Sequence, residues 1–324
     1  MDSTTRRGFI RSVTAAAGAV GAGSLGAAGA TPAQAQAPGA LPFSTSPLAK
    51  AGGHYVNPNR VLLWENTRKE IRQLLADGRL KAAILPTGSV EQHNEHLALA
   101  CDIANSSLVA QQVALELYPQ AIVAPPSPCG YSPYWMARKG TITLRKETLL
   151  AYVYDVLSSL KAHGIRTILM LNGHGGNHGP LREALPGWRK ELGITLDADS
   201  YWSGIPRDKM LEVMETESGV SHAAEFETSL FMAAFPERVR SVSLDEYDSE
   251  NLNYESGYSP EVIEYLGKDD AKGENERDRS RQKEALLASA AKGQELIWIA
   301  TRSFADRLTK MIAATEAGTS WPPA

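Results

Sequence analysis

Five of the seven histidines fall in three short clusters that also hold carboxylates and glycines. The first is Gly88-Ser89-Val90-Glu91-Gln92-His93-Asn94-Glu95-His96, with Asp102 nine residues after His93. The second is Asn172-Gly173-His174-Gly175-Gly176-Asn177-His178, and the third is His222-Ala223-Ala224-Glu225-Phe226-Glu227-Thr228. Any one of these histidines, taken alone, is more often a hydrogen-bonded structural residue than a ligand. Their concentration beside carboxylates and glycines reverses that reading for the set. Imidazole and carboxylate donors together suit Zn²⁺, Mn²⁺ or Fe²⁺ rather than a thiolate-type structural zinc site. In extended chain Glu91 and His93 point to the same side. A carboxylate such as Asp102 can bridge two ions, and two ions about 3.5–4 Å apart recur in hydrolytic sites. Amide hydrolysis asks for such a site, because a bound metal lowers the pKa of water from about 15.7 to about 7. That shift corresponds to about 12 kcal/mol between the two protonation states.

Other chemistries fit less well. The His-Gly-Gly-Asn run could cradle phosphate at a helix start, but it lacks both G-x-G-x-x-G and the P-loop lysine. No serine nucleophile elbow or catalytic-cysteine motif is present, and Cys101, beside Asp102, reads as packing. Glu225 and Glu227 are two apart, so on a helix they cannot readily face one site. The residues alone leave open which of the two is the ligand.

The elements that must position these clusters read as alternating buried strands and helices. Apolar runs without alternation lie at Ala82-Ala83-Ile84-Leu85, Ala121-Ile122-Val123-Ala124, Thr167-Ile168-Leu169-Met170-Leu171 and residues 194–198. Helical patterns follow at about 103–117, 147–163 and 180–192, after an amphipathic segment from about 59 that ends at Asp77-Gly78. Such strands, separated by helices, predict a mostly parallel central sheet covered on both faces, a three-layer α/β/α fold. The first two clusters follow strands directly, and open parallel sheets bind ligands beyond the carboxyl ends of their strands. Residues 244–282 are acidic and poor in aliphatics and read as a surface excursion, followed by a closing helix or helix pair over 283–313. The loop 125–140, with Tyr131, Ser132, Tyr134 and Trp135, is placed to wall the pocket.

The first 35 residues differ in kind. Thr5-Arg6-Arg7-Gly8-Phe9-Ile10 is a twin-arginine pattern, an uncharged Ala/Gly/Val run follows, and Ala33-Gln34-Ala35 offers a small-x-small cleavage site. The run is too weakly hydrophobic for a stable membrane anchor. The expectation is a Tat signal peptide over 1–35, a flexible linker or arm over 36–57, and one metallohydrolase domain over 58–315, periplasmic or secreted. Losing Arg6, Arg7, Arg11 and Asp2 would move the formal charge from -4 to -6. With 33 basic against 37 acidic side chains, nothing points to nucleic acid. Cys101 and Cys129 could pair in an oxidising compartment, but a chain of this size does not need the staple.

Together the motifs Gly-Ser-x-Glu-Gln-His, Asn-Gly-His-Gly-Gly-Asn and His-Ala-x-Glu-Phe-Glu-Thr-Ser, with Asp102 eleven after Glu91, resemble the creatininase (creatinine amidohydrolase) family over roughly residues 58–240. The resemblance implies a three-layer α/β/α fold, a homo-oligomer (a hexamer in the family) and two divalent metals per chain. By motif position Glu91, Asp102 and His174 would hold one metal, and His93 and Asp102 the other. In creatininase the second metal's last ligand is a glutamate two residues after the loop histidine. Here that position is Gly176, so the resemblance implies Glu225 as the replacement. His222 would act as general acid/base at the leaving nitrogen. Tyr131, Ser132, Trp135, His178 and Trp202 are candidates for the substrate pocket. Where creatininase has a Trp-Asp pair this chain has Ser218-Gly219, so the creatinine pocket is not preserved and creatinine is not the favoured substrate. The implied reaction is hydrolysis of a C–N bond in a cyclic amide or formamide by a metal-bridging hydroxide. The rival readings are a periplasmic metal- or solute-binding protein without turnover, and a metal-dependent lactonase. A phosphoesterase would need basic clamps, which the clusters lack.

Overall fold

The computed structural model describes residues 58–136, 138–240, 264 and 275–322. The expected signal peptide, linker and most of the acidic excursion therefore lie outside the described residues. Four strands form one parallel sheet: β1 (Ala82–Thr87), β2 (Ala121–Val123), β3 (Thr167–Asn172) and β4 (Thr195–Ser200), in the order β2-β1-β3-β4. Their registers run Ala82 to Ala121, Thr87 to Asn172, and Asn172 to Ser200. Every residue of β1, β2 and β3 is buried, which is why these segments read as continuous apolar runs.

Strand side chains still alternate in direction and feed two separate cores. Ile84, Leu169 and Leu171 pack on one face with α2 (Cys101–Glu116), α6 (Glu225–Ala234) and a long closing helix, through Val109, Phe226, Leu230 and Phe304. Leu85, Ile168 and Met170 pack on the other face with α3 (Lys146–Ala162) and α4 (Gly175–Leu192), through Leu149, Val153 and Leu181. This is the expected α/β/α sandwich. The chain steps outward from β1 to β2 with its helix on one face, then crosses back past β1 to β3 with its helix on the other. The strand order thus reverses between β1 and β3, the switch point where open sheets leave a crevice at the strand ends.

Several boundaries differ from the sequence reading. The amphipathic segment begins as two 3-10 turns, Pro58–Val61 and Leu63–Glu65. Only after a Thr67/Glu70 capping box does it become α1 (Arg68–Ala76). Helix α4 starts at Gly175, five residues earlier than expected, so the Gly-rich run is its first turn. A short α5 (Arg207–Val213) precedes α6. The closing segment is a pair, α7 (Asn275–Ala285) and α8 (Ala290–Ala317). The Ser289 hydroxyl caps α8 by accepting from the Lys292 amide, and Gly318 ends it in the left-handed conformation. Gly293 lets α8 lie against α6: a Cβ there would stand 1.9 Å from the Ser229 carbonyl oxygen. No helix among the described residues is long and apolar enough to cross a membrane. Cys101 and Cys129 are both free thiols, and burial pushes Cys101 up to about 12, so it stays a protonated packing group.

Candidate metal centre

β1 and β3 deliver the first two clusters to the switch point. Beyond Thr87 the chain runs through Ser89 and Glu91 to His93; beyond Asn172 it reaches His174, the N-cap residue of α4. Asp102 stands in the first turn of α2. All four are almost wholly buried, between 0% and 3% exposed.

Asp102 sits at the middle of the cluster. Its Oδ1 lies 3.1 Å from His93 Nε2 and its Oδ2 lies 2.9 Å from His174 Nδ1. Glu91 Oε2 also faces His174 Nδ1, at 3.2 Å, and Glu227 Oε2 faces His93 Nε2, at 3.5 Å. The other nitrogen of each ring is held by a main-chain carbonyl: His93 Nδ1 lies 3.2 Å from the oxygen of Glu91, and His174 Nε2 lies 3.1 Å from that of Tyr131. A carbonyl only accepts, so each ring donates an N–H there and turns its remaining nitrogen toward carboxylates. His93 Nε2 and Asp102 Oδ2 are buried without a hydrogen-bond partner. Two imidazole nitrogens facing three buried carboxylates ask for cationic charge between them, and this donor set fits divalent transition ions. Glu91, Asp102 and His174 form one compact ligand group; His93 and Glu227, with the Cys101 sulfur, form a second.

The electrostatics show the same crowding. Burial, and then the neighbouring Asp102, raise the Glu91 carboxyl. Glu227 is pushed up to about 7 by burial, reinforced by Asp102 and opposed by His93. Burial would raise Asp102 as well, but His93 and His174 outweigh it and hold this carboxyl below its usual range.

The expectation that Glu225 completes the cluster is not met in this geometry. Both glutamates lie in the first turn of α6, and two residues along a helix turn a side chain by about 200°. Glu225 faces away, accepting from the amides of Glu215 (3.0 Å) and Thr216 (2.8 Å), the Thr216 hydroxyl (2.8 Å) and Lys292 Nζ (2.5 Å). Glu227 faces His93 and is aimed by the Ala223 amide at 2.7 Å. Ala223 is held at φ 53° to do so, an uncommon conformation for a residue with a side chain. Gly176 could not carry a ligand here. A Cβ at that position would lie 2.2 Å from the Tyr131 carbonyl oxygen and 2.5 Å from His174 Nε2.

A cavity of about 390 Å³ opens over the cluster, with Glu91, Asp102, His174 and Glu227 exposed to it. Its walls include Tyr134, Trp135, Trp202, His222 and Arg281. His222 stacks on Trp135 with ring centres 4.4 Å apart; its Nε2 lies 2.9 Å from the Gln92 amide nitrogen, and its Nδ1 lies 3.6 Å from Glu91 Oε1. Burial, and then the charge of His93, hold the His222 ring well below its ordinary pKa.

Of the expected pocket residues, Trp135 and Trp202 line this cavity and the other three do not. Tyr131 contributes its carbonyl to His174. Ser132 is buried behind the ligands, where its hydroxyl donates to Glu91 Oε2 at 2.6 Å. His178 lies on α4 and lines a different cavity with Arg182 and Asp199, because the early start of that helix rotates it away. Three supporting residues were not singled out from the sequence. Gln92 and Asn177 stood inside the quoted motifs, so a signal existed: the Asn177 amide donates to the Gly88 carbonyl at 3.0 Å, and its oxygen accepts from the Tyr131 amide at 2.9 Å. Arg281 lay in a stretch read as surface, yet Arg281 and Gln282 are 7% and 2% exposed.

The creatininase family model, described as creatinine amidohydrolase, matches residues 64–308. The chain belongs to the creatininase family. Among curated relatives it is 28% identical over 194 residues to the creatinine amidohydrolase of Pseudomonas putida, covering 55% of this chain and 74% of that one. It is 30% identical to a 3-dehydro-scyllo-inosose hydrolase of Thermotoga maritima (56% of this chain, 58% of that one). It is also 30% identical to a mycofactocin precursor peptide peptidase of Mycobacterium ulcerans (48% and 59%). A Zn-Zn type mutant creatininase superposes with TM-score 0.60 at 25% identity, over 81% of this chain and 99% of that one. A manganese creatininase gives 0.61 at 24% over the same shares. The fold is thus that of creatininase, and the three relatives are hydrolases named for different substrates.

Proposed function

We propose that this protein is a metal-dependent amidohydrolase that cleaves a C–N bond of a small amide, with one divalent ion on Glu91, Asp102 and His174 and a second on His93, Asp102 and Glu227. The observation that carries this reading is the division of Asp102, whose two oxygens face two different histidines, each fixed through its other nitrogen by a carbonyl. Family membership and the amidohydrolase among the relatives support it. Bound there, zinc, manganese or iron would supply hydroxide near neutral pH and polarise an amide carbonyl.

The chain's own residues do the rest. Tyr134, Trp135 and Trp202 wall the cavity and leave room for a small planar molecule. Gln92 anchors His222 at Nε2, so Nδ1 is the atom placed toward the reacting group. Kept neutral at rest by burial, this ring is a weak base that passes a captured proton on readily. In the balanced reaction water adds its oxygen to the carbonyl carbon, the C–N bond breaks, and the departing nitrogen takes the proton from His222.

Elemental analysis of the folded protein, with release of ammonia or amine from a panel of lactams, formamides and simple amides, tests the reading. The expected result is close to two transition ions per chain and turnover abolished by chelation. His222→Ala should keep the metals and lose about 10²–10⁴-fold in kcat. A protein that takes up no metal on reconstitution would overturn the proposal.

A further inference from the structure

The cavity over the cluster contains one fixed cationic side chain. Among the described residues that line it, Arg281 alone is lysine or arginine. It comes from α7, which stands outside the strand–helix units that build the metal centre. The side chain is 7% exposed, and its guanidinium carbon lies 5.4 Å from the centre of the Trp135 ring. The same indole stacks on His222 at 4.4 Å. Arginine and the candidate proton carrier therefore share one rigid aromatic support, and a molecule only a few bonds long can reach both.

A buried guanidinium beside an amide-cleaving site has consequences for substrate choice. Its planar fork matches a carboxylate with two parallel hydrogen bonds, and desolvation strengthens that match. It also penalises a cationic substrate by like-charge repulsion and gives a neutral one no equivalent contact. The carboxylates at the cavity floor point toward the imidazoles and, on the reading above, are engaged with metal.

We propose that Arg281 selects substrates carrying a carboxylate on the amine half of the scissile amide, as in an N-acyl amino acid. This rests on the amidohydrolase reading for the reaction, and on His222 standing at the departing nitrogen for the side on which the carboxylate lies. Cleavage of such a substrate adds water across the C–N bond, giving the free acyl acid and an amino acid that keeps its carboxylate on Arg281.

The test separates this assignment from the hydrolase reading. Isothermal titration of the metal-loaded protein compares N-acetylglycine with its neutral analogue N-ethylacetamide, in wild type, Arg281→Gln and Arg281→Lys. Wild type should bind the carboxylate ligand at least about 10-fold more tightly. Arg281→Gln should lose about 10–100-fold for that ligand alone, with Arg281→Lys between the two. Equal binding of both ligands by wild type overturns the proposal, as does an equal loss for both in Arg281→Gln. Turnover of the same pair is followed in parallel. Carboxylate-dependent binding without hydrolysis would leave Arg281 as an anion selector and refute the amidohydrolase reading instead.

Discussion

Glu225 and Glu227 make a paired experiment, because the two side chains share one helical turn and serve different ends. Glu225 is completely buried, accepts two main-chain amides and one hydroxyl, and pairs with Lys292. Removing one partner of a buried ion pair costs about 3–5 kcal/mol. Lys292 keeps Glu215 Oε1 at 2.8 Å and the Leu287 carbonyl at 2.7 Å, so the lower end applies to Glu225→Gln. At 2–4 °C per kcal/mol for a domain of this size, about 3 kcal/mol lowers Tm by about 6–12 °C. Glu227 stands among like charges: burial and Asp102 have already driven its carboxyl up to about 7. In the metal-free protein Glu227→Gln keeps an acceptor for the Ala223 amide and relieves repulsion, so its Tm should equal or exceed that of the wild type. With metal the order inverts. Glu225→Gln should bind both ions, whereas Glu227→Gln should lose at least about 100-fold in affinity at one site, the upper end of what loss of an outer-sphere partner costs. Calorimetry of chelated proteins and elemental analysis after reconstitution read the two effects separately. Loss of an ion in Glu225→Gln, or two tightly held ions in Glu227→Gln, would refute the assignment.

Gly293→Ala should destabilise the protein by about 1–2 kcal/mol in urea denaturation. The clash with the Ser229 carbonyl, at the usual overpacking cost of about 1–3 kcal/mol, outweighs a helix-propensity gain of about 1 kcal/mol. Chelation should lower Tm, since it leaves three carboxylates buried together. At free metal 1,000 times Kd the linkage is worth about 4 kcal/mol, and an unchanged Tm would mean that metal does not bind the folded state. Replacing Arg6 and Arg7 by lysine should block export and leave precursor in the cytoplasm. Export of the variant at the wild-type rate, measured by cell fractionation, would sink the Tat reading.

Periodicity made much of the fold legible, because a parallel sheet buried on both faces writes unbroken apolar runs into its strands. All four strands and the helices after the first three were readable on that basis, to within a few residues. The clusters around Glu91, His93, Asp102 and His174 were equally readable: ligands that leave the ends of adjacent strands lie close to those strands in sequence. Other features had no local signature. Glu225 and Glu227 differ only by the rotation of one helix, and that rotation is set by Gly293 packing on Ser229 and by Lys292 reaching Glu225 from α8, more than 60 residues on. Arg281 lies in a polar helix whose own residues give no reason for burial. Sequence alone determined which chemistry the strand ends could carry. Tertiary packing decided which glutamate faces the histidines and which cation faces the cavity, because both depend on contacts between helices far apart in the chain.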